Sequence, residues 1–202
     1  DGMVQDPHKL GEALIRLWEM CKFKNKKAIL GVFNQGVIIR KADFPKVPDE
    51  KIEGLIRYQA QSYLPIPVDS AALDYIVIGE YKGDGGYRSE VLLVAAQLDM
   101  VNKFLEGIEQ GKIKLRDITV APLALLNAIP ASNMQGTVII VDIANELGSL
   151  LGVIDGVPRF VRGLKLRLQD IVDPMPLPSE TTGLHFTGEQ LASLNEALYD
   201  EI

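Results

Sequence analysis

TVIIVDIANELGSLLGVIDGVPRF, residues 137–160, carries more structural information than any other part of this chain. It opens on an apolar run, Val138 to Val141, with the length and β-branched content of a buried strand. Asp142 closes that run, a polar loop follows at Ala144-Asn145-Glu146, and a second apolar run covers Leu150 to Ile154. Asp155-Gly156 is a two-residue hairpin signal, because both central positions of a type I′ turn need positive φ. Val157 to Val161 then reads as the return strand.

A strand ending in Asp, a tight turn and two further hairpin strands resembles the phosphate-holding element of the actin, Hsp70 and sugar-kinase superfamily. The pattern there is roughly Asp-Ile-Gly followed by small and hydroxyl residues. Backbone N–H groups cradle a phosphate only where nothing blocks its approach, which favours glycine. Here Ala144 stands at the glycine position. Asn145, Glu146, Leu147 and Gly148 replace the hydroxyl residues, and Ser149 arrives late. A carboxylate such as Glu146 at ~5 Å from an anionic ligand opposes binding by about 1–3 kcal/mol. Asp142 keeps the capacity to hold a metal or a water. The expectation is a hairpin retained as architecture, with a degenerate nucleotide site at Asp142, Ala144, Asn145, Glu146 and Gly148.

Composition sets the outer bounds. The chain has 202 residues, 47% hydrophobic and 24% charged, which suits one large domain or two small ones with a sizeable core. A net charge of −6 disfavours general nucleic-acid binding. The single cysteine, Cys21, excludes an internal disulfide. No apolar run approaches the ~20 residues that cross a bilayer, and the N-terminus lacks the apolar core of a signal peptide. Asp1-Gly2-Met3 at the start and a helical pattern running to the last residue suggest a fragment of a longer protein.

Along the chain, Asp6-Pro7 starts a helix carrying Leu10, Leu14, Leu17, Trp18 and Cys21 at helical spacing. Lys27 to Phe33 and Val37 to Phe44 flank Asn34-Gln35-Gly36 as an expected hairpin. Acidic Asp49 and Glu50 open a helix running to Tyr63, which Pro65 and Pro67 end. Leu73 to Glu80 alternates like a strand, turns at Lys82-Gly83-Asp84-Gly85-Gly86, and returns as Ser89 to Gln97. A helix bearing Met100, Val101, Phe104, Leu105 and Ile108 is ended by Gly111. Lys112 to Val120 reads as a strand and Pro122 starts a short helix to about Ile129. Pro174, Pro176 and Pro178 mark residues 170–183 as a linker or lid, and Thr187 with Gln190 forms a capping box for a last helix.

The segment from Ala28 to Phe160 resembles the type IV pilus assembly protein PilM family, actin-like relatives of the cell-division protein FtsA. The most specific piece is VIIRKADFPKVPDEKIEGLIRYQAQSYLPIPVDSAALDYIVIGE, from Val37 to Glu80. Ile56-Arg57-Tyr58, Ala60 and Tyr63-Leu64-Pro65 fall on the family's Ile-Arg-Trp/Tyr-Glu-Ala-Glu-x-Tyr-Ile-Pro run, with Gln59 and Gln61 where Glu is commoner. EVLLVAAQLDMVNKFLEGI, from Glu90, and DITVAPLALLNAI, from Asp117, match the next segments. The family's first phosphate hairpin and its adenosine-binding lobe have no counterpart here.

The resemblance implies a mixed α+β fold, an actin-like (ribonuclease H-like) fragment with an inserted 1C-type subdomain. On that basis residues 1–46 belong to a 1A-like main subdomain, 47–120 to the 1C-like insert, 121–136 to the return, and 137–202 to a 2A-like subdomain. It further implies a cytoplasmic adaptor, peripheral at the bacterial inner membrane, in a type IV pilus or related secretion platform. Its expected partner is the cytoplasmic N-terminal peptide of a PilN-like membrane protein, with other platform components and self-association beside it. Arg57, Tyr58, Tyr63, Leu64 and Ile66 are the candidate partner-binding residues. No catalytic residue, metal or nucleic-acid partner is expected, and no cofactor in the fragment, although ATP and Mg²⁺ remain open for a full-length parent. Two rival readings are an ATP-binding actin-like switch or ATPase and the cytoplasmic domain of a GspL-like type II secretion protein.

The remaining features read as structure. His8 and His185 lack metal-like spacing, and the scarcity of histidine leaves no Ser/His/Asp arrangement. Cys21 falls on the apolar face of the first helix and is expected to be buried. Lys22, Lys24, Lys26 and Lys27 are compatible with a lipid headgroup contact, but a solvated helix end complementing the dipole is the simpler expectation.

Overall fold

The computed structural model describes residues 2–143 and 148–164. The Pro-rich segment 170–183, the helix after Thr187, His185, and the loop residues Ala144, Asn145 and Glu146 lie outside the described residues. In chain order the elements are α1 (Pro7–Met20), β1 (Lys27–Val32), β2 (Val37–Pro45), α2 (Asp49–Gln59), β3 (Ala71–Gly83), β4 (Gly86–Gln97), α3 (Leu98–Gln110), β5 (Lys114–Val120), α4 (Ala121–Ala124), β6 (Thr137–Asp142), β7 (Gly148–Ile154) and β8 (Val157–Leu164). Short 3-10 turns extend α2 and α4.

Local chemistry fixes the element ends. The Asp6 carboxylate accepts hydrogen bonds from the backbone N–H groups of His8 (3.0 Å) and Lys9 (3.3 Å), and Pro7 occupies the first helical position. Asp155 (φ 49) and Gly156 (φ 79) make the two-residue turn between β7 and β8. Asp84-Gly85 makes the corresponding turn between β3 and β4, where Gly83 faces Gly86.

The strands form three sheets: a parallel pair β1-β5, an antiparallel sheet in the order β2-β4-β3, and an antiparallel meander β6-β7-β8. The expected hairpin at Asn34-Gln35-Gly36 is therefore not one. The two strands that this turn joins lie in different sheets, β1 beside β5 and β2 beside β4. The turn itself is real. The buried Asn34 amide oxygen accepts the Gly36 N–H at 2.8 Å, its amide nitrogen donates to the Gly2 carbonyl at 2.8 Å, and Gln97 N–H bonds the Gly36 carbonyl at 3.0 Å. These contacts carry the chain from one sheet to the next instead of folding it back.

Alternation along the strands builds two cores on opposite faces of β2-β4-β3. One face carries Ala42, Phe44, Val91, Leu93 and Ala95, which pack against Ile52, Ile56, Ala60 and Leu64 of α2 and its extension. The other face contributes Ile78 and Leu92 to a second core with Leu151, Val153, Val161 and Met134. The central sheet is thus a layer between a helix and the meander.

Beside it, α1 lies along α3 with glycines at the contact. A Cβ added at Gly107 would meet Leu10 at 2.6 Å, and one at Gly111 would meet Leu14 at 3.1 Å. Leu10 precedes Leu14 as Gly107 precedes Gly111, so the two helices run in the same direction. Gly111 caps the end of α3, as its sequence suggests, without the left-handed conformation common at helix ends. Instead Gly111 is right-handed (φ −66) and Lys112 takes positive φ (53). The missing side chain at Gly111 serves the approach of Leu14. Cys21, expected on the buried face of α1, is exposed because the helix ends at Met20 and Cys21 lies past its packed turns.

Candidate partner-binding cleft

A cleft of about 460 Å³ opens where the central sheet meets the ends of the parallel pair. Its floor and one wall come from Ala72–Ile76 of β3 with Val94 and Ala96 of β4. Because neighbouring side chains in a strand point to opposite faces, a run of consecutive β3 residues means that the strand edge itself lines the cleft. The facing wall is Val32 at the end of β1, Ile118, Thr119 and Val120 at the end of β5, and Leu123, Leu126 and Asn127 around α4. A cavity at the carboxyl ends of parallel strands is the usual place for a ligand in sheets of this kind. The lining is mostly apolar, with polar groups on Asp74, Tyr75, Thr119 and Asn127, a composition suited to anchoring side chains while fixing their register.

Among the described residues, β3 is the outer strand of its sheet and β5 pairs only with β1. The Asp74 carboxylate accepts the N–H of Tyr75 at 2.8 Å, and the Asp117 carboxylate accepts that of Ile118 at 2.8 Å. Each aspartate thus covers a donor next to it in sequence, a device that blunts an exposed edge.

The residues singled out from sequence are scattered around this cleft. Leu64 is 6% exposed and belongs to the core beneath α2. The Tyr63 ring meets Phe44 at a tilt of 55° with centroids 5.3 Å apart, and its hydroxyl donates to the Asp43 carbonyl at 2.9 Å. Ile66 is half-buried beyond the helix. Tyr58 is 85% exposed on α2. Arg57 lines a recess of about 220 Å³ together with Glu53, Ile56 and Leu73–Tyr75, and it pairs with Glu53 at 3.4 Å. That recess shares Leu73, Asp74 and Tyr75 with the larger cleft, so Arg57 stands across β3 from it. The cleft residues were not distinguishable in sequence, since Val32, Ala72, Ile76 and Ile118 look like any other strand residues until the strands are placed.

Of the hairpin positions, Asp142 ends β6 opposite Ser149, and Gly148 begins β7 opposite Leu164. Among the described residues no group of three His, Cys, Asp or Glu side chains is placed to hold a metal. No helix among them is long and apolar enough to cross a membrane. The strongest polar cluster is structural and tethers the central sheet. Asp43 Oδ2 accepts from Arg88 Nε at 2.6 Å and from the Tyr81 hydroxyl at 2.8 Å, and Arg88 Nη2 reaches the Asp43 carbonyl at 3.0 Å. The hydrogen bond to Asp43 raises the pKa of both Tyr81 and Arg88.

Comparison with known proteins gives this geometry a family. The fold is similar to a chain of the PilM–PilN type IV pilus biogenesis complex, at 25% identity and a TM-score of 0.74 over 84% of this chain and 52% of that one. The present chain therefore spans about half the length of that relative. It is also similar to the cytoplasmic domain of EpsL, an inner membrane component of the type II secretion system of Vibrio cholerae. That match has 12% identity and a TM-score of 0.53 over 94% of this chain and 80% of the domain, a likeness of fold alone. Both agree with a mixed α+β, actin-like architecture. The model of the family described as type IV pilus assembly protein PilM matches residues 1–164 of the 202, and the chain belongs to that family.

Proposed function

We propose that this protein is a cytoplasmic adaptor at the inner-membrane assembly platform of a type IV pilus, and that its cleft takes the N-terminal cytoplasmic peptide of a PilN-like membrane protein in extended form. The observation that supports this most is the apolar cleft of about 460 Å³ lined by the outer edge of β3. An extended peptide laid there satisfies its backbone against a strand edge and inserts alternate side chains between Ile76 and Ile118. Its carbonyls replace the carboxylates of Asp74 and Asp117 on the N–H groups of Tyr75 and Ile118. Arg57 enters the reading as a contact for a peptide segment that continues over β3, and Tyr63 and Leu64 as supports beneath it. Residues 47–120, which run from α2 through β5, act as the 1C-like insert, and the cleft lies between its strand β3 and the ends of β1 and β5.

In the same reading the chain hydrolyses no ATP, and the hairpin at Asp142 is a scaffold remnant. The test is fluorescence anisotropy with a labelled N-terminal peptide of the membrane partner. Ile118→Glu places a charge in the wall at a partly exposed position. It is expected to weaken binding at least tenfold with an unchanged circular dichroism spectrum. Tyr58→Ala is expected to bind like wild type. Wild-type affinity in Ile118→Glu would remove the peptide from this cleft. Heat on titrating Mg-ATP would restore the nucleotide-switch reading.

A further inference from the structure

The end of the β1-β5 pair away from the cleft carries a different surface. Because α1 and α3 run in the same direction and each feeds one strand of a parallel pair, both helix C-termini and both strand starts meet there. Lys27 sits opposite Lys114 in the strand register, and the Lys114 N–H bonds the Lys26 carbonyl at 2.7 Å. Lys22, Lys24, Lys26, Lys27, Lys112 and Lys114 are all exposed and gather at this one end, although two separate segments of the chain supply them. Glu19 and Glu109 are the acidic residues in the last turns of the two helices. The concentration is notable in a chain of net charge −6.

Helix capping accounts for lysines here but not for what stands among them. Met20 is 80% exposed and Phe23 is 53% exposed, on the turn that links α1 to β1. That turn is held rigidly. Trp18 donates its indole N–H to the Asn25 carbonyl at 2.8 Å, and its ring meets Phe23 edge-on with centroids 5.4 Å apart. The apolar side chains are thereby kept outside.

From these contacts we infer that the lysine-rich end docks on an anionic lipid bilayer, with Met20 and Phe23 entering the headgroup region. Lysine stems lie along such a surface while their ammonium groups pair with lipid phosphates. Apolar tips inside a basic ring match a bilayer, which offers negative charge outside and hydrocarbon beneath. The six residues of β1 separate this face from the cleft by roughly 20 Å, so the contact is independent of peptide docking.

The experiment uses the whole 202-residue chain without partner peptide, and vesicles of phosphatidylethanolamine and phosphatidylglycerol against vesicles of phosphatidylcholine alone. Binding is expected on the anionic vesicles only and is expected to weaken as salt is raised. Lys24→Glu/Lys26→Glu and Lys112→Glu/Lys114→Glu are each expected to lower affinity about 25-fold or more, roughly fivefold for each lysine removed from the surface. Trp18, the only tryptophan, reports depth, and brominated phosphatidylglycerol is expected to quench its fluorescence. Equal vesicle binding by wild type and both variants, or binding without quenching, would overturn the inference. So would affinity for duplex DNA without affinity for vesicles. Peptide binding by Lys24→Glu/Lys26→Glu is expected to stay at the wild-type level, so failure here and failure of the cleft reading are told apart.

Discussion

α1 against α3 and α2 against the central sheet are two answers to one problem, the burial of one face of a short helix. Against the sheet, α2 uses large side chains, with Ile52 and Ile56 packed in one cluster with a fully buried Phe44. Between α1 and α3 the leucines of one helix meet glycines of the other, Leu10 at Gly107 and Leu14 at Gly111, and at Gly11 the backbones themselves come close. At Gly11 an added Cβ would lie 2.7 Å from Gln110 Cβ and 3.1 Å from the Gly107 carbonyl oxygen. The first contact fails when atoms are removed, and the second when atoms are added. Substitutions of opposite kinds therefore probe the two.

The largest effect is expected at Phe44. It is fully buried between β2, β4 and α2, so Phe44→Ala loses both the transfer of the ring from water and its packing, a cost of about 3–5 kcal/mol. Thermal unfolding followed by circular dichroism reads this directly. A loss under about 1 kcal/mol would mean that α2 can close over the gap and is not keyed to the ring.

Gly11→Ala comes next. In a free helix the change is favourable by roughly 0.5–1 kcal/mol, since alanine is the better helix former. Here the methyl group meets the backbone of α3, which cannot rotate away as a side chain can. Net destabilisation of about 1–3 kcal/mol is expected, with the sign opposite to intrinsic propensity. Gly54→Ala is the control. Gly54 lies inside α2, and a Cβ there has nothing within 4 Å. It is expected to stabilise by about 0.5–1 kcal/mol. If both glycines shift stability in the same direction, the distinction between a backbone contact and a side-chain contact is lost.

These positions also show what a one-dimensional reading reaches. Asp155-Gly156 and Asp84-Gly85 announce their hairpins because turn geometry is decided by the residues that make the turn. Asp6-Pro7 announces a helix for the same reason. The pairing of β1 with β5 had no such signal. The paired residues Lys27 and Lys114 lie 87 positions apart, and parallel strands share no turn. Asn34-Gln35-Gly36 was misread as a hairpin because an apolar strand on each side of a polar turn fits either a fold-back or a crossing between sheets. Nothing in the sequence distinguishes Gly11 or Gly107 from a tolerated helix glycine, because the helix each one contacts is remote in the chain. The cleft was illegible for the same reason, since it exists only where β3, β5 and α4 come together. Leu64 and Tyr63 lie on the most recognisable motif of the chain and pack in the core under α2, while Arg57 and Tyr58 of the same motif are exposed.

The smallest effect concerns the rim of the central sheet, where polar contacts replace packing. Asp43 on β2, Tyr81 on β3 and Arg88 on β4 are joined through one carboxylate oxygen. The hydrogen bond from the Tyr81 phenol to Asp43 is the main reason its pKa lies above the ordinary 10.0, with desolvation and the Asp43 charge adding to it and Arg88 opposing. A phenol held above its unfolded value contributes stability in full below that value and loses it as pH rises through the folded one. The contribution of Tyr81 is therefore expected to be flat through neutral pH and to fade only above about pH 10. Tyrosinate absorbance titrations of wild type and Tyr81→Phe check this, because their difference isolates one of six tyrosines. A difference step at or below the ordinary phenol value would show that the Asp43 contact does not hold in solution. Tyr81→Phe is also expected to alter stability far less than Phe44→Ala, since the hydroxyl is partly exposed and water can replace it on the carboxylate. Polar ties at the rim then set the register of β2, β3 and β4, while the buried ring beneath α2 carries most of the stability.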